Sequence, residues 1–396
     1  VYNHPTMRLG VIGGGQLGRM LIAPARELGV AVNVLDPDPE AAAAEVADRF
    51  LVGSLTDPEA LAELASWSDL LTYEIEHIDV SALQSLADRG VVIRPSARTL
   101  ATIQDKLLQK RHLARHGIPV PEFLEMPSDD EPGSGADEGT HLSDAGRQIG
   151  YPCVAKARRG GYDGRGVVVC RDEAELRALP GPRLHWYLER YLADAAEPAM
   201  LVARGVRGEL RLYQAFEMMF HPERNICDAV VLPAALPEAV QRRAAEIAVA
   251  AVESFETAGL FAIELFLTGD GEVLVNEIAP RPHNSGHLTI EACVTSQFEQ
   301  HLRAVCGLPL GSTELLSPGA MVNLLAGGRS EGPVAISGLE EALALERVRV
   351  HLYGKRRARP GRKMGHVTAL GADTNSALEA ARAAADSLWI GASERA

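Results

Sequence analysis

The chain has 396 residues, more than one hydrophobic core usually serves, so two or three domains are expected. Hydrophobic residues at 46% and charged residues at 23% give an ordinary globular balance, and no run approaches the roughly 18 apolar residues of a membrane span. A net charge of −14 argues against a general binder of nucleic acid or anionic lipid, so any anionic ligand must meet local basic clusters.

Val1 to Thr6, ahead of Met7, read as a tail rather than a targeting signal. Residues 8–13 form an apolar run that leads through glycines into a helical pattern and a second apolar run at 30–35, a β-α-β opening. Further strands are expected at 69–73 and 91–93, giving an open, mostly parallel sheet over residues 1–103. Gly13-x-Gly15-x-x-Gly18, with Asp36 downstream, meets the dinucleotide-binding template nearly in full. The same glycines also serve tight strand–helix packing with no nucleotide, so the motif establishes the β-α unit and leaves an NAD-dependent dehydrogenase as an alternative.

Residues 104–118 read as an amphipathic helix ended by Gly117. The stretch 127–146, rich in Asp, Glu, Ser and Gly, reads as a mobile surface insertion. Strands and helices then alternate from 151 to about 305. Lys156 closes one strand, and Arg158 to Gly166 carries four glycines in seven residues together with Arg158, Arg159 and Arg165. Such a loop suits a phosphate flap, or an ordinary glycine-rich hairpin, and it lacks the GK[ST] ending of a P-loop.

The most specific feature lies at 261–281 (FAIELFLTGDGEVLVNEIAPR). Two alternating strands flank Asp270-Gly271, read as a two-residue type I′ turn, and that register sets Glu264 directly across from Glu277. Like charges so placed need a cation between them, for which Mg²⁺ is the natural choice, unless both carboxylates simply face water. Pleat parity points Asn276 away from Glu277. Arg281, His283, Asn284 and His287 follow in a polar turn suited to an anionic substrate. A linker texture at 306–319 leads into a small third domain of short strands, closed by a helix at about 376–389. Within it, 347–363 carries eight Lys/Arg and no Asp/Glu, a candidate phosphate-recognition patch or a solvated face. Five cysteines without a C-x-x-C pair argue against a disulfide framework and a structural zinc, and fit a reducing cytoplasm.

In their order, GGGQLGRML at 13–21, GGYDGRG at 160–166, NEIAPRPHNSGH at 276–287 and RPGRKMGH at 359–366 resemble the N5-carboxyaminoimidazole ribonucleotide synthase family of ATP-grasp carboxylate–amine ligases, along the whole chain. The resemblance implies a mixed α/β and α+β architecture: a Rossmann-like pre-ATP-grasp domain (1–103), an ATP-grasp domain (104–305) and a small β-rich C-terminal domain (306–396). It further implies ATP-dependent carboxylation of aminoimidazole ribonucleotide with bicarbonate, through carboxyphosphate, in purine biosynthesis. ATP would meet Lys106, Lys156, the loop of Gly161, Tyr162, Asp163, Gly164, Arg165, Gly166 and Val167, the adenine hinge Glu189, Arg190, Tyr191 and Leu192, and Glu197 at the ribose. Asn276 and Glu277 complete that site, and Glu264 and Glu277 would hold Mg²⁺. Arg281, His283 and Asn284 would hold bicarbonate and carboxyphosphate, with Tyr162, Asp163 and Arg165 excluding water. Gln16, Leu17, Lys355 and Arg362 would bind the ribonucleotide, so the glycine motif would hold no dinucleotide. The family pattern places a histidine three residues after Glu217, whereas this chain has His221 one position later. A cytoplasmic homodimer whose product passes to a mutase, without nucleic-acid or membrane partners, is expected. A sister ligase that uses formate and glycinamide ribonucleotide is the alternative within the fold.

Overall fold

A computed structural model describes residues 7–126, 138–161, 166–221 and 226–393, with the side chains of 138–143 outside that description. The chain opens with a four-stranded parallel sheet in the order Arg49–Val52, Ala31–Asp36, Arg8–Ile12 and Leu70–Tyr73. Arg8–Ile12 and Leu70–Tyr73 are nearly continuous apolar runs with Leu9, Val11, Ile12 and Leu71 fully buried, as expected of strands covered on both faces. Asp57 and Asp79 cap the helices Pro58–Ser66 and Val80–Asp88 through their side chains. The strand expected at 91–93 is a single parallel bridge, Leu71 to Ile93. The chain turns there into the next helix, Ala97–Gln104, before a second hydrogen-bonded pair forms.

The helix expected over 104–118 is Lys106–Arg115. Asp105, in extended backbone, ends the preceding helix and caps this one by accepting from the amides of Leu107 and Leu108. A small sheet follows, in the order Phe123–Glu125, Trp186–Arg190, Cys153–Ala157 and Val167–Cys170. Part of the expected insertion is ordered: residues 138–149 form a helix whose Ala145 and Ile149 pack into the core of that small sheet. Residues 127–137 lie outside the described residues.

A nine-stranded sheet follows, in the order Val273–Ala279, Gly259–Leu267, Pro198–Arg204, Phe216–Phe220, Cys227–Leu232, Gly319–Leu325, Lys363–Leu370 and Val348–Leu352, with Leu210–Leu212 paired to Pro198–Arg204, and a separate three-stranded sheet takes the order Arg357–Ala358, Gly332–Ser337 and Trp389–Ala392. The helix Glu238–Glu253 buries Ala244, Ile247, Ala248, Ala251 and Val252 against it. Gly319–Leu325, Lys363–Leu370 and Val348–Leu352 of the C-terminal segment thus extend the central sheet, with Gly319–Leu325 paired antiparallel to Cys227–Leu232. Among the described residues no helix is long and apolar enough to cross a membrane.

Candidate functional site

The hairpin Gly259–Leu267 and Val273–Ala279 does set Glu264 opposite Glu277, by a route different from the one expected. The turn is one residue longer, because the amide of Gly271 donates to the carbonyl of Thr268 and that of Thr268 to the carbonyl of Glu272. Gly271 takes a positive φ of 87° there, which favours glycine. That extra residue shifts the register by one. A bulge then shifts it back, since Glu264 faces Glu277 while Leu265 faces Val275, leaving Asn276 as the extra residue. The bulge also corrects the expectation for Asn276. Its Oδ1 accepts from Lys156 Nζ at 2.8 Å, in the same cluster as Glu277.

Three lysines meet these acids. Lys106 pairs with Glu277. Lys156 Nζ lies 2.7 Å from Glu189 Oε2 and Lys110 Nζ 3.0 Å from Glu189 Oε1, while Tyr187 donates its hydroxyl to Glu189 Oε1 at 2.9 Å. Glu189 is 1% exposed, so its carboxylate is spent inward on this network and leaves only its backbone to the hinge. Burial alone would push the Glu189 carboxyl up, but Lys110 and Lys156 together bring it down to about 2. Glu264 behaves oppositely: burial and the facing Glu277 push it up. Burial acts on Glu277 too, and there Lys106 prevails and holds it down. Burial raises Glu197, with Lys156 and Glu277 near enough to act on it.

Both acids of the pair keep access to water, with 17% of the Glu264 side chain and 37% of the Glu277 side chain exposed. His283 Nε2 sits 3.3 Å from Glu264 Oε1. Its Nδ1 lies 3.3 Å from the Ser285 amide, which donates to it, so Nε2 carries the proton toward Glu264. Arg281 clamps Glu76 through Nε at 2.8 Å and an Nη at 3.0 Å. Asn284 exchanges two amide hydrogen bonds of 2.9 Å with Asn323 of the C-terminal strands. Arg281 and Asn284 thus already have protein partners, and the expected anion contacts compete with those.

The flap base is tied to the lysine helix: Arg158 Nη2 donates to Asp105 Oδ2 at 2.8 Å and the Lys106 amide to the Arg158 carbonyl at 2.8 Å. Gly161, Gly166 and Val167 flank the flap, while Tyr162, Asp163, Gly164 and Arg165 lie outside the described residues. At the hinge, Arg190 faces Glu272 at 3.7 Å, Tyr191 is exposed and Leu192 half-buried. His221 sits just past the strand Phe216–Phe220, its amide donating to the carbonyl of Ile226.

The glycine loop answers its own motif. The Gly14 amide donates to Asp36 Oδ2 at 2.7 Å, and the amides of Gly15 and Gly18 both donate to the Glu74 carboxylate. Burial pushes that carboxyl up to about 7. The anion position at this helix start is filled by the protein's own side chains, which disfavours a dinucleotide. Gln16 opens the helix, whereas the Leu17 side chain lies in the core. The basic segment comes to the same helix: a Cβ on Gly354 would stand 2.9 Å from Arg19 Nη1. Beside it Lys355 Nζ donates to the Lys363 carbonyl at 2.7 Å, and Arg362 to the Arg357 carbonyl at 2.9 Å. Arg356 meets Glu40 and Glu45 of the first sheet region.

Sequence reasoning missed Lys110, Glu74, Glu76 and Asn323. Lys110 stands four residues after Lys106, one helical turn along the same face. Glu74 and Glu76 follow the carboxyl end of a parallel strand, where open sheets place ligand groups.

Residues 6–104 match the ribonucleotide synthetase preATP-grasp domain, 111–298 the ATP-grasp domain and 319–380 the phosphoribosylaminoimidazole carboxylase C-terminal domain. A phosphoribosylaminoimidazole carboxylase of Schizosaccharomyces pombe is 41% identical over 372 residues, 91% of this chain and 64% of that longer protein. The crystal structure of N5-carboxyaminoimidazole ribonucleotide synthetase from Thermotoga maritima is 46% identical, with a TM-score of 0.87 over 98% of this chain and all of the other. An Aspergillus clavatus N5-carboxyaminoimidazole synthase, crystallised with ADP and 5-aminoimidazole ribonucleotide, is 35% identical with a TM-score of 0.85, covering 97% and 98%.

Proposed function

Because the chain belongs to the N5-carboxyaminoimidazole ribonucleotide synthase family of ATP-grasp ligases, we propose that it carboxylates 5-aminoimidazole ribonucleotide with bicarbonate at the expense of ATP. The observation that carries this reading is the convergence of Lys106, Lys110 and Lys156 with Glu189, Glu264 and Glu277 on one end of the hairpin. It is a cationic bed for phosphates beside two facing carboxylates. Glu264 and Glu277 suit a hard divalent cation, because both keep some access to water and Glu264 is pushed up by its burial and by Glu277. Among the described residues no three His, Cys, Asp or Glu side chains gather as a ready metal site, so phosphate oxygens would complete the coordination. Mg²⁺ held there would neutralise charge on the phosphates of ATP.

The protein's own groups then have separable tasks. Lys106 and Lys156 offset the charge that builds on the transferred phosphoryl group, where phosphoryl transfer needs stabilisation. The 189–192 backbone and Glu197 would hold the nucleoside end. Arg281, His283 and Asn284 line the side of Glu264 on which bicarbonate would be phosphorylated, and His283 already directs a proton there. Tyr162, Asp163 and Arg165 would close the flap against water, which destroys carboxyphosphate. Lys355 and Arg362 would take the ribonucleotide phosphate beside Gln16, with the Leu17 contribution confined to its backbone. His221 would make the nucleotide contact of the family's histidine from one position later. A cytoplasmic homodimer feeding a mutase belongs to the same reading, carried over from the family.

The test is incorporation of labelled bicarbonate into the ribonucleotide. Label transferred in step with ADP release, and absent when formate and glycinamide ribonucleotide are supplied instead, is the expected result. ADP released only with formate and glycinamide ribonucleotide would transfer the assignment to the sister ligase.

A further inference from the structure

Lys110 is 1% exposed, so it belongs to the lysine bed without a surface of its own for a phosphate to touch. A lysine is almost never this buried unless something specific holds its charge. Here its ammonium donates to the Val275 carbonyl at 2.9 Å and faces Glu189 Oε1 at 3.0 Å. Val275 immediately precedes the bulged Asn276. Lys110 therefore ties together the bulge and the carboxylate that also anchors Lys156.

Glu189 stands between the two lysines. With Lys110 on one oxygen and Lys156 on the other, a single carboxylate offsets two ammonium groups and a net positive charge is left beside the phosphate site. Lys156 stays free to reach Asn276 Oδ1. Without Lys110, Lys156 would be the sole counter-charge of a buried carboxylate, so it would be held on Glu189 and the pair would carry no net positive charge beside the nucleotide.

We propose that Lys110 is a positioning residue for nucleotide binding, which shares Glu189 with Lys156 so that Lys156 remains aimed toward the phosphates. This rests on the ATP-grasp reading of the site, though not on the identity of the second substrate.

The groups facing Lys110 are Glu189 and Tyr187 of Trp186–Arg190, Lys156 of Cys153–Ala157 and, at longer range, Glu277 of Val273–Ala279. Burial pushes Lys110 down to about 8 against the pull of Glu189. Tyr187 is buried and held well above its usual range, and Lys106 is raised because Glu277 outweighs its burial.

The experiment is calorimetric titration of ADP with Mg²⁺ between pH 7.5 and 9.5, with thermal unfolding in parallel, for the native protein, Lys110→Met and Lys110→Arg. Native affinity should fall as pH rises past about 8. Lys110→Met should bind on the order of 10-fold more weakly at pH 7.5 and lose that pH step. Lys110→Arg should bind as the native protein does at pH 7.5 and keep its affinity at pH 9.5, because a guanidinium does not titrate there. A folded Lys110→Met with native affinity and a native pH profile would overturn the proposal. If Lys110→Met does not fold, Lys110→Arg decides: a flattened profile supports it and a native one contradicts it. Failure of the ligase reading would appear separately, as native ADP release that the ribonucleotide does not stimulate.

Discussion

The glycine loop at 13–18 and the hairpin around Glu264 and Glu277 are the two segments whose sequence most strongly suggests a ligand, and the fold treats them in opposite ways. In the loop, the amides of Gly14, Gly15 and Gly18 are already taken by Asp36 and Glu74. In the hairpin, two carboxylates face each other, Glu264 pushed up by burial and by Glu277, and both remain partly exposed. A motif that is satisfied from within is a packing device. One in which two partly exposed carboxylates are set against each other is a candidate site.

Unbalancing the hairpin cluster should have the largest effect. Glu189→Gln leaves Lys110 and Lys156 buried without their shared carboxylate, and the expected loss is about 3–5 kcal/mol of stability, read by urea unfolding. An unchanged midpoint would mean that the lysines relax into solvent.

Lys355→Ala and Arg362→Ala should each raise KM for the ribonucleotide on the order of 10-fold with little change in kcat, since they would hold a phosphate remote from the reacting atoms. Steady-state kinetics at saturating ATP measures this. Equal losses in kcat would place them nearer the chemistry.

Glu74→Gln probes the loop. An amide can accept from one of the two glycine amides but opposes the other, for an expected cost of about 1–3 kcal/mol at pH 5. The native carboxyl sits near 7 against 4.5 in the unfolded chain, so the native state holds its proton more tightly. Native stability should therefore decline as pH rises from about 4.5 to about 7. The variant lacks that slope, and the gap should narrow by pH 8, as urea midpoints at the two pH values would reveal. The smallest effect belongs to Gly271→Ala, where a side chain at φ 87° should cost about 1–2 kcal/mol in thermal unfolding and leave ADP release unaltered.

The opposition of Glu264 and Glu277 was legible in the alternation of the two strands, yet it rests on two departures that alternation does not encode. The longer turn and the bulge at Asn276 cancel in register, and only the bulge explains why Asn276 reaches Lys156. Lys110 was hidden because a lysine on a polar-looking helix reads as exposed until the strand it packs on is known. The helix over 138–149 was masked by its Asp, Gly and Ser content, although Ala145 and Ile149 carry its buried face. The strand at 91–93 failed for the opposite reason: β-branched residues favour a strand, but a single bridge was all the backbone could form. The C-terminal β-rich domain was legible as a domain, and only the pairing of its first strand with Cys227–Leu232 emerges in the fold alone, because strand pairing leaves no mark on sequence.

The paired glutamates and the lysine bed are proposed as the site of an ATP-dependent ligase acting on a ribonucleotide. This assignment is tested most directly by ADP release with ATP, Mg²⁺ and bicarbonate, with and without 5-aminoimidazole ribonucleotide, in the native protein and in Glu277→Gln. Release should be stimulated by the ribonucleotide and fall on the order of 100-fold or more in the variant. Stimulated release that persists in Glu277→Gln would contradict the assignment of the site, and ATP binding without any stimulation would contradict the assignment of the substrate.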